Sequence, residues 1–167
     1  MKCLIDVFRL SEGRRTESGD FEVSGLPRLG SHVGAFTDGS LHWEATGTEG
    51  RRGMPGARLR VTGAVRGTCS RCGDPLEIPV DIDTSFLFAR TEAQADAIPL
   101  SEDEDDEIVV GSSRFDVAAW VEEEVLLALP LYPVHSGCAA PANPAGGKEE
   151  AAERENPFAV LASLRKN

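Results

Sequence analysis

Residues 59–88, LRVTGAVRGTCSRCGDPLEIPVDIDTSFLF, decide the fold of this chain. Apolar and polar residues alternate over residues 59–66 and again over residues 76–88, a pattern typical of β-strands that bury one face. Between these two runs, Cys69 and Cys72 are separated by two residues. The stretch therefore predicts two strands joined by a cysteine knuckle at their turn.

A second hairpin is predicted on the N-terminal side of this stretch. The dipeptide Asp38-Gly39 is typical of a type I′ turn, and it lies between residues 32–37 and residues 40–46. Residues 1–30 carry only short apolar patterns, which predict edge strands or an irregular wrap. A short strand is also predicted over residues 108–110.

One helix is predicted over residues 115–129, with Ser112 or Ser113 as its cap and Pro130 at its end. Its apolar face comprises Val117, Trp120, Val121, Val125 and Ala128. The three glutamates at positions 122–124 are expected to form a solvated acidic face. These elements predict an α+β domain of residues 1–135, in which an antiparallel β-sheet packs against this helix.

The end of the chain predicts a linker followed by a docking motif. Residues 136–155 contain mainly Ala, Pro, Gly, Lys and Glu, a composition typical of a flexible tether. Residues 156–167, NPFAVLASLRKN, regain a helical pattern, with Asn156 as cap and proline at the first helical position. A helix this short is marginal alone, so we expect it to dock either on its own domain or on a partner. The predicted partner-binding residues are Pro157, Phe158, Leu161, Leu164, Arg165 and Lys166.

The net charge of −11 is unevenly distributed. Residues 1–72 carry 11 basic and 8 acidic side chains, whereas residues 73–167 carry 6 and 20. The acidic total argues against non-specific binding of nucleic acid, because attraction to phosphate dominates that binding. A basic cluster nevertheless comprises Arg51, Arg52, Arg58, Arg60, Arg66 and Arg71. It is interpreted either as an RNA contact or as a solvated strand face whose positive charge balances the acidic half of the chain.

Four residues form a candidate metal site. Cys69 and Cys72 have the spacing of a zinc knuckle, and His135 and Cys138 repeat that spacing further along the chain. Three thiolates and one imidazole would make a closed structural zinc site. The alternative is that Cys138 is a stray thiol and the first pair only decorates a turn. A redox role is disfavoured, because Pro75 and a strand follow the first pair where a helix N-terminus would be needed.

Several classes of protein are not expected from this sequence. No apolar stretch reaches the length of a membrane span, and a charge at Asp6 comes too early for a signal peptide, so a cytoplasmic protein is expected. The sequence contains no nucleophile elbow, zinc-protease motif or phosphate-binding loop. We therefore expect no catalytic residues, no small-molecule substrate and no enzymatic activity.

Three segments together resemble the bacterial YceD family, the large ribosomal RNA subunit accumulation proteins. They are CSRCGDPL at 69–76, DVAAWVEEEVLLALPLYPVH at 116–135 and NPFAVLASL at 156–164. The resemblance covers roughly residues 57–167, and family members often have cysteine where this chain has His135. It implies a cytoplasmic, non-enzymatic factor for synthesis, processing or stability of 23S ribosomal RNA. The implied partners are ribosomal RNA or the ribosomal and assembly proteins of the large subunit. The alternative is a zinc-ribbon-like adaptor that binds protein and does not contact RNA.

Overall fold

The central hairpin forms as its alternation predicts. The computed structural model describes residues 3–99 and 106–138. Strands β4 (Pro55–Thr68) and β5 (Pro75–Ala89) pair antiparallel along almost their whole length, up to Thr68 opposite Pro75. The cysteine knuckle occupies the turn between them, as predicted.

The hairpin lies inside a five-stranded sheet. Its other strands are β2 (Thr16–Glu22), β3 (Asp38–Glu49) and β6 (Asp106–Val110), and the order is β2-β3-β4-β5-β6. All neighbours pair antiparallel except β5 and β6, which are parallel. A parallel neighbour needs a crossover connection, and this one contains the short helix α3 (Glu92–Asp96). The predicted α+β class is confirmed, with one parallel strand at the edge of the sheet.

Three further helices accompany the sheet: α1 (Val7–Glu12), α2 (Pro27–Gly30) and α4 (Val117–Ala128). Helix α1 contacts β3 and β4, α4 contacts β5, and α2 contacts α4. Trp120 of α4 meets the rings of Phe86 and Phe88 edge-on, with centroids 4.9 and 6.0 Å away. The core therefore lies between the sheet and these helices, and α4 is the helix that the sequence predicted to cover it.

Helix α4 begins two residues later than predicted. Residues Phe115–Asp116 form strand β7, which pairs with β1 (Leu4–Ile5), so the helix starts at Val117. The Asp116 carboxylate caps it by accepting from the backbone N–H groups of Ala118 and Ala119 at 3.2 and 3.4 Å. The prediction that Ser112 or Ser113 provides the cap was therefore wrong.

The predicted faces of α4 are partly right. Val117, Val121 and Val125 are fully buried and Trp120 nearly so, as expected. Ala128 is exposed, and Leu129 is buried at that end of the helix instead. The expected solvated acidic face was wrong, because Glu122 and Glu124 are buried.

The predicted turn at Asp38-Gly39 was also wrong. Both residues lie in β3, where Gly39 pairs with Val65 of β4. A Cβ at Gly39 would lie 2.2 Å from the Ala64 carbonyl oxygen, and its φ is +119°. The close approach of two strands therefore requires glycine at position 39. In the sequence, an Asp-Gly pair required for this reason looks the same as an Asp-Gly pair in a turn. Residues 32–37 form no strand.

The N-terminal region is more regular than expected. Beside the predicted edge strand β2, it contains helix α1, whose N-cap Asp6 accepts from the backbone N–H groups of Phe8 and Arg9, both at 3.1 Å. Short 3₁₀ turns lie at Val23–Gly25 and Arg51–Gly53. Within the two described ranges, no helix has the length and apolar character needed to cross a membrane. The predicted terminal motif and all but the start of the predicted linker lie outside those ranges.

Candidate functional site

The turn between β4 and β5 brings Cys69 and Cys72 together. The backbone N–H of Cys69 donates to the carbonyl of Asp74, and the N–H of Gly73 donates to the carbonyl of Cys69, both at 2.9 Å. Gly73 has a φ of +79°, a conformation that side chains with a Cβ rarely adopt. Glycine at this position therefore lets the chain reverse while both thiols face the same side.

The segment after α4 brings the second pair of residues to the same place. The Ser70 backbone N–H donates to the Pro133 carbonyl at 2.8 Å, which fixes this segment against the knuckle. The Cys138 N–H donates to the His135 carbonyl at 3.1 Å, so these two residues form a compact turn of their own. The structure thereby brings all four predicted ligands together.

The four ligand atoms lie within 4.8 Å of one another. The sulfurs of Cys69 and Cys138 are 3.9 Å apart, and the Cys72 sulfur is 3.6 Å from Nδ1 of His135. In a zinc tetrahedron with Zn–S near 2.3 Å and Zn–N near 2.0–2.1 Å, sulfurs are about 3.8 Å apart and a sulfur and a nitrogen about 3.6 Å. The cluster can hold a metal ion without rearrangement of these pairs.

A backbone carbonyl orients the histidine of the cluster. Nε2 of His135 lies 2.9 Å from the carbonyl oxygen of Pro75. A neutral imidazole that donates from Nε2 leaves the Nδ1 lone pair directed at the cluster, which is the usual arrangement of a metal-binding histidine. The same hydrogen bond raises the pKa of His135, because it also favours the protonated ring. This carbonyl partner could not be predicted from the spacing of the cysteines and histidine.

The thiols of Cys69 and Cys72 differ in pKa. Burial raises the pKa of the Cys69 thiol, but the backbone N–H groups of Cys72, Arg71 and His135 outweigh it and lower the pKa to about 6. The Cys72 thiol receives a backbone hydrogen bond from Asp74, but desolvation and the neighbouring thiols raise its pKa to about 11. The cluster therefore stabilises one thiolate easily and the next one poorly. A divalent cation would remove that repulsion.

The predicted arginine cluster is divided among three places. Arg58, Arg60 and Arg66 lie on the exposed face of β4, Arg71 lies in the knuckle, and Arg51 and Arg52 lie at the turn between β3 and β4. Within the knuckle, a guanidinium nitrogen of Arg71 donates to the Cys138 carbonyl at 2.5 Å. The structure therefore brings three of the six onto one surface.

Carboxylates on the neighbouring strands form ion pairs with the arginines of β4. Arg58 binds Asp83 of β5 in a bidentate pair at 2.5 and 2.6 Å, which holds the pKa of that carboxyl below its usual range. Arg66 donates to Glu77 at 2.6 Å and to Asp38 at 3.0 Å. Arg60 lies 3.8 Å from Asp81. Positive and negative side chains thus alternate across this face, which weakens its attraction for a polyanion.

The two buried glutamates of α4 have separate partners. Oε1 of Glu122 accepts from the backbone N–H groups of Arg28 at 2.6 Å and Leu29 at 3.3 Å. The Thr84 hydroxyl donates to Glu124 at 3.0 Å. Both glutamates are structural links to α2 and β5, which the run of three acidic residues did not reveal.

The family model for the large ribosomal RNA subunit accumulation protein YceD matches residues 57–165. The chain is 33% identical over 102 residues to the large ribosomal RNA subunit accumulation protein YceD of Haemophilus influenzae, and the aligned part spans 58% of each protein. No solved structure matches the chain. The family match extends over most of β4, all of β5 and α4, and all four cluster residues, so the chain belongs to the YceD family.

Proposed function

We propose that this protein is a non-enzymatic cytoplasmic factor for the synthesis, processing or stability of 23S ribosomal RNA, acting by binding. The observation that carries the proposal is the family match over residues 57–165, together with the name of the relative, a large ribosomal RNA subunit accumulation protein. The direct partner is ribosomal RNA or a ribosomal or assembly protein of the large subunit. No step of bond making or breaking is assigned to the chain.

The binding element in this proposal is the terminal motif, whose residues lie outside the described ranges. Its apolar anchors Phe158, Leu161 and Leu164 recur at three-residue steps, which suits an amphipathic helix lying in a groove. Arg165 and Lys166 follow the anchors and would contact acidic groups or phosphate of the partner. The folded domain then positions the motif.

We further propose that the cluster of Cys69, Cys72, His135 and Cys138 holds one structural zinc ion. Support comes from the ligand spacing, from the donor set of three sulfurs and one imidazole, and from the carbonyl that orients His135. A site with four protein ligands has no open position for substrate, which fits a structural role. The zinc would join the β4–β5 turn to the segment that follows α4.

The zinc proposal is tested by elemental analysis of protein purified without chelator. We expect one zinc per chain, and loss of most of it in Cys138→Ser. The matched control is Cys3→Ser, because Cys3 is a half-buried thiol outside the cluster. Zinc absent from the unaltered protein, or retained equally in both variants, would refute the four-ligand site.

The functional proposal is tested in the strain that encodes this protein. We expect deletion of the gene to lower the amount of 23S relative to 16S ribosomal RNA, and a plasmid copy to restore it. Crosslinking in cells that carry the full chain or a chain ending at residue 155 should then identify the RNA or protein that depends on the terminal motif. Unchanged 23S RNA after deletion would exclude the proposed function.

A protein-only adaptor is the second candidate, and the ion pairs of β4 favour it. Arg58, Arg60 and Arg66 all have carboxylate neighbours on adjacent strands, so binding to phosphate would have to displace these contacts. An acidic protein of this kind would be attracted to basic ribosomal proteins.

Measurement of RNA affinity against salt separates the two candidates. A protein that contacts phosphates loses affinity steeply as salt rises, since each contact releases counterions. Direct binding to RNA predicts such a slope, and Arg58→Gln combined with Arg60→Gln should reduce it. No measurable affinity for large-subunit RNA, with retained capture of a ribosomal protein, would favour the adaptor.

A further inference from the structure

Five large apolar side chains remain exposed on and around the segment that leads from α4 to the metal cluster. In the described part of the chain, they lie at the end of α4, in the segment after it, and in the loop that this segment touches. We call them the apolar patch: Val33 (54% exposed), Leu127 (67%), Leu131 (69%), Tyr132 (66%) and Val134 (39%). Large exposed apolar patches mark interaction sites in proteins.

The backbone that carries the patch is held in place. Leu129 is buried at the end of α4, and the Pro133 carbonyl accepts from Ser70, so both ends of the exposed Leu131 and Tyr132 are anchored. A Cβ at Gly34 would lie 2.7 Å from Cγ of Pro133, which shows how tightly the loop carrying Val33 packs on this segment. The patch is therefore a pre-formed surface, and a ligand would not have to order it.

The chain itself supplies an apolar segment at the edge of this surface. The described residues end at Cys138, which belongs to the cluster next to Val134. The remaining 139–167 contain four large apolar residues, and all of them fall within the terminal motif: Phe158, Val160, Leu161 and Leu164.

The length of the intervening chain suits contact with the patch. Residues 139–155 contain no large apolar side chain, and a flexible chain of this length spans about 20–25 Å on average. The attachment point at Cys138 is only six residues from Tyr132. A segment tethered so closely has an effective concentration on the order of 1 mM at the patch. No second molecule reaches such a concentration at ordinary protein levels.

We propose that residues 156–167 dock on the apolar patch of their own chain in the free protein. The proposal deepens the function proposed above, because the same segment is there assigned to the partner. The partner must then displace the segment from the patch. The apparent affinity for the partner equals the intrinsic affinity multiplied by the fraction of molecules in which the segment is free. The contact is thus autoinhibitory, and it also covers the patch until the partner arrives.

The single tyrosine of the chain reports on this contact. Tyr132 is the only tyrosine in the sequence, so ¹³C labelling of tyrosine gives the ring signals of one patch residue. We expect these signals to shift between the full chain and Phe158→Ala/Leu161→Ala. Addition of the synthetic peptide 156–167 to that variant should move them back. Glu153→Ala/Glu155→Ala, which alters the linker alone, should leave them in place.

The outcomes also separate this proposal from its alternatives. Tyr132 signals that are identical in the full chain and in Phe158→Ala/Leu161→Ala would overturn the docking. Shifts that vary with protein concentration would mean docking on a second copy, which also overturns it. The measurement uses free protein, so its failure leaves the proposed role in 23S RNA accumulation standing. Loss of that role with a positive Tyr132 result would leave the docking standing.

Discussion

Glu122 of α4 is the residue that ties this helix to the N-terminal part of the chain. The residue is 5% exposed, and its carboxylate accepts hydrogen bonds from two backbone N–H groups of α2. A buried donor that loses its acceptor is left without either protein or water as partner. The link therefore contributes more than an exposed ion pair of the same length would.

We expect Glu122→Ala to lower the free energy of unfolding by about 1–3 kcal/mol, because the N–H of Arg28 loses its acceptor and the N–H of Leu29 keeps only the Leu26 carbonyl at 3.2 Å. Glu122→Gln keeps an oxygen acceptor and should cost less than half as much. Glu123→Ala is the matched control, since Glu123 forms an exposed pair with Arg28 that contributes little to stability. Urea unfolding measures all three, and equal effects would contradict this role.

Glu124 gives the fold a predicted dependence on pH. Burial raises the pKa of Glu124, nearby Glu107 and Glu123 raise it further, and the Thr84 hydroxyl opposes the rise. The unfolded value is about 4.3. A raised folded pKa means that stability from this group is fully present below the unfolded pKa and is lost as pH rises through the folded pKa.

Glu124→Gln should consequently stabilise the protein more at pH 7.5 than at pH 4.5, relative to the unaltered chain. The amide cannot ionise, so it avoids the loss that the carboxylate suffers at the higher pH. Urea unfolding at the two pH values measures the difference, and Thr84 remains available as a hydrogen-bond donor in both proteins. An equal effect at both pH values would show that Glu124 does not titrate with folding.

At the scale of single elements, local sequence patterns correctly predicted the strands and helix faces that depend on residues close along the chain. The β4–β5 hairpin and the apolar face of α4 follow from alternation and helical spacing. The helix start does not, because Phe115–Asp116 pair with a strand more than a hundred residues earlier. The burial of Glu122 depends in the same way on a distant partner in α2. The sequence spacing grouped the four metal-site candidates, whereas the Pro75 carbonyl became visible only in three dimensions.

Gly39 offers a direct test of the element that the sequence misassigned. Gly39→Ala should destabilise the protein by about 2–3 kcal/mol, because its positive φ strains the new side chain and its Cβ meets the Ala64 carbonyl. Gly25→Ala is the matched control, since nothing lies within 4 Å of the added carbon. Thermal unfolding compares them. If Gly39 occupied an exposed hairpin turn instead, the clash would be absent and most of this loss with it.

Metal removal should act on the knuckle before it acts on the sheet. We expect His135→Ala to lose zinc and to speed hydrogen exchange at the amides of Arg71, Cys72 and Gly73, while exchange in β3 stays slow. His135→Cys supplies another zinc ligand and should retain the metal. Zinc analysis and hydrogen exchange measure both. Zinc retained in full by His135→Ala would show that residue 135 is not a ligand.

At the scale of the whole molecule, the folded domain and the terminal segment have different proposed roles. The domain has a core shared by the sheet and its helices, a striped charged face and a candidate metal centre. The terminal segment carries the apolar anchors that are proposed to take the partner. The match with the YceD family model, over residues 57–165, covers part of the domain and most of the terminal segment.

The ratio of 23S to 16S ribosomal RNA in cells tests the central proposal most directly. The gene is replaced by Phe158→Ala/Leu161→Ala, by Glu153→Ala/Glu155→Ala as control, or is deleted, with equal protein levels in the first two strains. If the protein acts by binding through its terminal motif, the anchor variant lowers the ratio to that of the deletion strain and the control keeps it normal. A normal ratio in the anchor variant, with a low ratio in the deletion strain, would contradict binding through this motif.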